Sequence, residues 1–170
     1  MNRIVIALAA AIIAGPVAAE EAATPDMSGT WSGKGFVQKD ENARKINIRC
    51  KVEGEQSGAK VGFDGVCRAM LVMKREIGAW LTRDGNNFTG TYKGAEVGLS
   101  KLNGEEKSDG KIVLEMTFPR EVHTDDKGVM TITLEGPNDF SIKTQDEMDN
   151  GETITTSQIN FVREEKVAEK

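Results

Sequence analysis

The residues best placed to do chemistry are Cys50 and Cys67, the only two cysteines in the chain. They lie at mirror-image positions about Gly58-Ala59, between two runs that alternate apolar and polar residues. A hairpin closed by a two-residue loop at Gly58-Ala59 sets Cys50 opposite Cys67, Ile48 opposite Ala69 and Ile46 opposite Leu71. A longer loop over 55–60 keeps the same register. The pattern predicts a disulfide, with two unpaired buried thiols as the alternative.

The start of the chain has the pattern of a secretory signal peptide. Arg3 precedes an apolar run from Ile4 to Gly15, and Pro16-Val17-Ala18-Ala19 supplies a small-residue cleavage site. The run falls short of the roughly twenty residues that span a bilayer. We therefore expect residues 1–19 to be cleaved and the protein to be periplasmic or secreted, where disulfides persist.

Composition divides the remainder of the chain into three parts. Residues 20–27 are rich in Ala, Glu and Pro and predict a flexible N-terminal segment. Residues 28–163 have the size of a single domain, and 164–170 form a charged tail. With a formal net charge of −5 and no basic cluster along the sequence, no nucleic-acid partner is expected, and no cofactor is predicted.

Catalytic and metal-binding patterns are weak. The single histidine, His123, stands in a turn with Glu121, Asp125 and Asp126, which favours solvated charge over a metal site. No serine lies in a Gly-x-Ser-x-Gly elbow. Residues 146–152 resemble a calcium loop, but Met148 stands where an oxygen ligand is needed. A pair of carboxylates that hydrolyses a glycosidic bond is an alternative that the sequence leaves open. We predict a protein that is not an enzyme and that binds no metal.

The elements that position these residues are strands. Apolar residues recur at every second position, and Asp84-Gly85, Asp109-Gly110 and Asn150-Gly151 mark hairpin turns. A parity change between Ile154 and Ile159 predicts a β-bulge. We expect an all-β antiparallel meander of about eight to ten strands closing into a barrel, with a two-sheet sandwich as the alternative. The alternation predicts that Leu99 points inward. Residues 69–76 fit either the end of strand three or a helical turn, because short apolar runs do not distinguish the two.

The two ends of the predicted domain resemble the calycin superfamily. Gly29-Thr30-Trp31 opens the first strand and Phe161-Val162-Arg163 closes the last, similar to the Gly-x-Trp and late Arg of lipocalins and avidin-like barrels. The run from Phe88 to Tyr92 is similar to an avidin-type strand. The resemblance implies a calycin-like barrel in which the Arg163 guanidinium stacks on the Trp31 indole. Biotin binding is not implied.

One branch of the superfamily resembles this chain in the order of its segments. Periplasmic inhibitors of secreted metalloproteases have a flexible N-terminal segment, then Gly-x-Trp, then two disulfide-bonded cysteines on the next two strands. This chain has 20–27, Trp31, Cys50 and Cys67 in that order. Those inhibitors are markedly shorter. The resemblance implies a protease as a partner, with no contact residue carried over.

Two sets of apolar residues are candidates for binding. The first points into a barrel, where it lines a ligand cavity or fills the core: Phe63, Met73, Phe88, Tyr92, Met116, Phe118 and Met130. The second falls on the outward parity and predicts an exposed patch for a protein partner: Val66, Met70, Val72 and Trp80.

Three hypotheses for function follow from these patterns. The first is a barrel that binds a small apolar ligand or lipid, and a filled interior counts against it. The second is a protease inhibitor acting through the N-terminal segment. The third is an envelope scaffold that binds a partner protein through the patch around Trp80.

Overall fold

The computed structural model describes residues 26–70, 72–94 and 98–165. The predicted signal peptide, most of the predicted flexible segment, Leu71 and most of the charged tail lie outside these ranges. The described part consists of ten strands and their turns: β1 (Gly29–Val37), β2 (Ile46–Ser57), β3 (Lys60–Ala69), β4 (Met73–Asp84), β5 (Asn87–Lys93), β6 (Leu99–Glu106), β7 (Lys111–Val122), β8 (Asp125–Leu134), β9 (Asp139–Glu147) and β10 (Thr153–Arg163).

The ten strands form a closed antiparallel barrel in which every strand pairs with its neighbours in sequence and β1 pairs with β10. The meander barrel predicted from the alternation is confirmed, and the sandwich alternative is excluded. Odd-numbered strands start at the end of the barrel that holds Trp31, and they finish at the other end. We call these the Trp31 end and the distal end. Within the described ranges, no helix is long and apolar enough to cross a membrane.

The β2–β3 hairpin has the register that its turn and its core pattern both predict. Ser57 pairs with Lys60 around Gly58-Ala59, and Gly58 adopts the left-handed φ of +57° that the turn requires. Cys50 pairs with Cys67, and the two are joined by a disulfide with their Cα atoms 3.9 Å apart. The bond closes a loop with a sequence separation of 17, which stabilises the fold by about 3 kcal/mol on the chain-entropy account.

The bulge predicted on the last strand is present. The β9–β10 register shifts between Thr155 and Ser157, so Thr156 is the extra residue. Beyond the bulge, Ile159 and Phe161 point into the core. The shift places Thr156 and Ser157 beside Thr144 of β9 at the distal end.

Two strand assignments differ from the sequence-based expectation. β3 ends at Ala69, and a turn containing Met70, whose φ is +51°, separates it from β4. Met73 is thus the first residue of β4 rather than a continuation of β3. On β6, Leu99 is 57% exposed and Ser100 is fully buried, the reverse of the expected parity, because the strand begins after Gly98 with its positive φ of +108°.

The barrel interior is filled by side chains. Phe88, Leu114 and Met130 are completely buried in it. The cavity found toward the Trp31 end measures about 30 Å³ and is lined by Met27, Val61, Gly62, Phe63, Ala79, Leu81, Ile112, Ile132 and Leu134. A space of that size holds one water molecule at most. This cavity is too small for an organic ligand.

Candidate functional site

The Trp31 end is closed by Arg163. Its guanidinium carbon lies 4.2 Å from the centroid of the Trp31 indole, in cation–π contact. The same group donates hydrogen bonds to the carbonyl oxygens of Ser28, Asp26 and Pro137. One side chain therefore joins the start of β1, the end of β10 and the β8–β9 connection, as a planar guanidinium with five donors can do.

Met27 completes this closure. It lies in the segment expected from the sequence to precede the barrel, yet it is 7% exposed and packs into the core. Its carbonyl accepts a hydrogen bond of 3.0 Å from Trp31 Nε1, and its amide donates to Gln56 Oε1. A Cβ on Gly54 would lie 1.9 Å from the Met27 carbonyl oxygen, so only glycine admits the segment here. The Trp31 end is a structural floor.

An aromatic cluster stands on this floor. Phe140 meets Trp31 edge-on at 4.9 Å and stacks on Phe161 at 4.6 Å. Phe63 lies about 6 Å from both phenylalanines. A Cβ on Gly33 would lie 2.6 Å from the Phe161 ring, so this glycine gives the ring its space.

Most of the residues predicted to line a cavity belong to the packed core instead. Phe63, Phe88, Met116, Phe118 and Met130 are all buried. Their side chains occupy the volume that a ligand in the lumen would need.

The other two predicted lining residues lie nearer the distal end. Tyr92 is partly buried and packs against the core. Met73 has the inward parity but stands at the rim, where it is 47% exposed because β4 begins there. A ligand would therefore have to bind at the distal end rather than in the middle of the barrel.

A cleft of about 600 Å³ opens at that end. It is lined by the start of β4, the end of β5, the β5–β6 connection and the start of β6: Lys74, Arg75, Glu76, Lys93, Gly94, Gly98 and Leu99. The volume lies in the range of small-molecule sites. Lys93 forms an ion pair with Glu76, which lowers the pKa of that carboxyl group through the hydrogen bond and the charge of Lys93. Among the described lining residues, three cations stand against one carboxylate.

Tyr92 lies beside the cleft. A Cβ on Gly94 would lie 2.5 Å from the tyrosine hydroxyl, so this oxygen packs directly against the Gly94 backbone. Burial raises the pKa of Tyr92 to about 12, and the nearby charge of Arg75 opposes that rise. The hydroxyl thus stays protonated at neutral pH as a hydrogen-bond donor. Ser100 pairs directly with Tyr92 across β5 and β6.

Three polar residues are buried among the inward positions near the distal end: Ser100, Thr144 and Asp146. The Thr144 hydroxyl contacts the hydroxyls of Thr156 and Ser157 at 3.1 and 2.7 Å. Ser100 Oγ and Asp146 Oδ1 are buried without a hydrogen-bond partner among the described residues. Unpaired buried polar atoms cost free energy, so this end of the barrel is not optimised for packing alone.

Asp146 is the most perturbed carboxyl group at this end. Burial raises its pKa to about 6, and the charge of His123 opposes the shift. His123 occupies the β7–β8 turn with a φ of +59°, a left-handed conformation that non-glycine residues adopt infrequently. The only histidine in the chain therefore interacts electrostatically with a buried carboxyl group. The calcium-loop pattern gave no indication of this link.

The predicted protein-binding patch is divided by the structure. Met70 and Val72 are 63% and 89% exposed in the β3–β4 turn at the distal end. Trp80, 44% exposed, lies seven residues beyond the first residue of β4, or about 23 Å along the strand. Its indole lies against Gly62 and Gly78 on the outer wall.

Val66 is half-buried and pairs with Glu76, so it lies between these two parts of the surface. The four residues do not form one surface.

Within the described ranges, no group of three or more His, Cys, Asp or Glu side chains is arranged to hold a metal ion. The distal cleft is the feature that the sequence did not predict. Its cations come from the start of β4 and the end of β5, which the antiparallel pairing of these strands brings to the same end of the barrel. Lys93 also pairs with Leu99 across β5 and β6.

The fold, the floor and the disulfide-bonded hairpin define a calycin-like β-barrel. No protein-family model and no curated protein matches the chain. Among solved structures, Rv2717c from M. tuberculosis is similar with a TM-score of 0.59 and 14% identity, over 82% of this chain and 93% of that one. The S-type phycobiliprotein lyase CPES from Guillardia theta is similar with a TM-score of 0.57 and 11% identity, over 82% and 89%. At these identities the likeness is one of fold alone.

Proposed function

We propose that this protein is a non-enzymatic, periplasmic or secreted barrel that binds a small amphipathic ligand with an anionic group in the distal cleft. The proposal rests on one observation: a cleft of about 600 Å³ has more cations than carboxylates among its described lining residues, and Leu99 is exposed at its edge. Cations there attract a carboxylate, sulfate or phosphate, and Leu99 contacts an apolar chain. The filled interior argues against the lumen as the binding site. The Cys50–Cys67 disulfide supports a location outside the cytosol.

One similar structure is a phycobiliprotein lyase, but at 11% identity the likeness shows the fold and assigns no activity to this chain. We infer binding rather than catalysis for this chain because the described residues that line the distal cleft include no histidine, serine or cysteine. The protease-inhibitor hypothesis stays a prediction, since residues 20–25 lie outside the described ranges.

Calorimetric titration with two probes of equal chain length tests the proposal. Decanoate should bind, and decyltrimethylammonium, with the opposite charge, should bind at least tenfold more weakly if the three cations dominate, since about 1.4 kcal/mol is tenfold in affinity. The double variant Lys74→Gln/Arg75→Gln should weaken decanoate binding by about tenfold, each partly exposed charge contributing up to about 1 kcal/mol.

The matched control is Lys60→Gln/Lys101→Gln, which removes the same charge from exposed positions outside the cleft. It should bind decanoate as the native protein does. Equal affinity for both probes, or equal loss in both double variants, would reject the cleft as an anion site.

A further inference from the structure

Four cations stand in a row on the outer face of the barrel near the distal end. Lys34 pairs with Arg49 across β1 and β2, Arg49 with Arg68 across β2 and β3, and Arg68 with Lys74 across β3 and β4. All four side chains are exposed. Neighbouring strands are about 4.8 Å apart, so the row spans about 15 Å of surface. We call it the cation row.

The cation row is costly to the fold. Like charges directly opposite one another across strands are destabilising. None of the ion pairs formed within the described part of the chain includes Lys34, Arg49, Arg68 or Lys74. The protein as a whole carries a net charge of −5, so the row is a local concentration of positive charge on an acidic molecule. An external anionic surface would relieve the repulsion.

Exposed apolar side chains adjoin the row on its distal side. Met70 follows Arg68 by two residues and Val72 precedes Lys74 by two, and these are the two most exposed large apolar side chains described. Phe36 follows Lys34 by two residues, and Lys45 Nζ lies 4.2 Å from its ring centroid. The tip of the β3–β4 hairpin is therefore apolar, and cations lie directly behind it.

We propose that this face docks on an anionic lipid bilayer, with the cation row against the headgroup phosphates and Met70 and Val72 inserted between the headgroups. Cations flanking an exposed apolar tip match the two layers of a membrane interface, which are anionic outside and apolar beneath. A soluble polyanion would use the cations and leave the apolar tip in water. The proposal rests on the outer face of β1–β4 and does not depend on a ligand in the distal cleft.

Vesicle flotation tests the docking. The native protein should float with vesicles containing phosphatidylglycerol and stay unbound with vesicles of phosphatidylcholine alone, and added salt should release it. The variant Arg49→Gln/Arg68→Gln should bind about 25-fold more weakly, at about fivefold for each cation near an anionic surface. Lys60→Gln/Lys101→Gln removes the same charge elsewhere and should bind as the native protein does.

Two further readouts separate docking from misfolding and from polyanion binding. Arg49→Gln/Arg68→Gln should melt at the same temperature as the native protein or higher, because it relieves like-charge repulsion. Val72→Ser should weaken vesicle binding and leave any binding to heparin or duplex DNA unchanged. Equal vesicle affinity of the native protein and either variant would overturn the proposal, as would binding of heparin or DNA as tight as that of vesicles.

Discussion

The Arg163 guanidinium lies over the Trp31 indole, 4.2 Å from its centroid, and donates hydrogen bonds to the carbonyl oxygens of residues that precede β1 and β9. Trp31 is 1% exposed, and its own Nε1 donates to the Met27 carbonyl. The first and last strands are thus joined through side chains as well as through their backbone ladder. This end of the barrel serves stability, and the proposed binding site lies at the distal end.

Replacing Arg163 should destabilise the barrel strongly. Arg163→Gln removes the cation–π contact and the charged donors of three carbonyl oxygens, so we expect a loss of about 3 kcal/mol in the free energy of unfolding. Arg163→Lys keeps the charge without the planar fork and should lose less. Urea unfolding midpoints measure both, and a loss below about 0.5 kcal/mol for Arg163→Gln would show that the floor does not depend on this side chain.

The disulfide should act on stability alone. Cys50→Ala/Cys67→Ala removes the bond from a directly opposed pair and should lower the free energy of unfolding by about 3 kcal/mol. Dithiothreitol should lower the melting temperature of the native protein and leave that of the double variant unchanged. Decanoate binding by the folded double variant should match the native protein, because neither cysteine is among the described residues that line the cleft, which come from β4 to β6. A variant that folds but loses binding would contradict this separation.

The register of the β2–β3 hairpin could be predicted because two independent local signals agree. The Gly58-Ala59 turn and the core alternation both oppose Cys50 to Cys67. Phe63 and Met130 were likewise assigned inward correctly by parity, although parity could not tell a core position from a cavity lining. Whether the barrel interior is filled depends on how side chains from all ten strands pack together, and a local sequence pattern does not show this.

The distal features could not be predicted, because they depend on strand pairing over longer distances. Arg49, Arg68 and Lys74 are separated along the chain and become neighbours only across three paired strands. The sequence therefore showed no basic cluster where the surface has one. The alternation predicts Leu99 rather than Ser100 as the inward residue, because a local pattern does not show that Gly98 resets the parity.

Asp146 should make stability depend on pH with an unusual sign. Its pKa in the folded protein, about 6, exceeds the ordinary value of 3.8, so the folded state binds more protons between about pH 4 and pH 6. The contribution of Asp146 to stability is present below about pH 4 and is lost as the pH rises through 6. Asp146→Asn should therefore gain stability over the native protein across that window, by about 2 to 3 kcal/mol at pH 7.

Unfolding midpoints at a series of pH values check this effect as a difference between the two proteins. The difference cancels the opposite slope of carboxyl groups with lowered pKa values, such as Asp26, Glu76 and Asp109. Asp64→Asn, at an exposed position on the outer face of β3, is the matched control and should give a flat difference. If the difference in stability between Asp146→Asn and the native protein also did not change with pH, burial would not disfavour the ionised form of Asp146.

The most direct test of ligand binding at the distal end is amide chemical-shift mapping of the labelled protein during titration with decanoate. The account predicts that the largest shifts fall on Arg75, Lys93, Gly94, Gly98 and Leu99, with Phe88, Leu114 and Met130 unchanged. Shifts concentrated on those three core residues, or on the Trp31 end, would contradict a binding cleft at the distal end of a filled barrel.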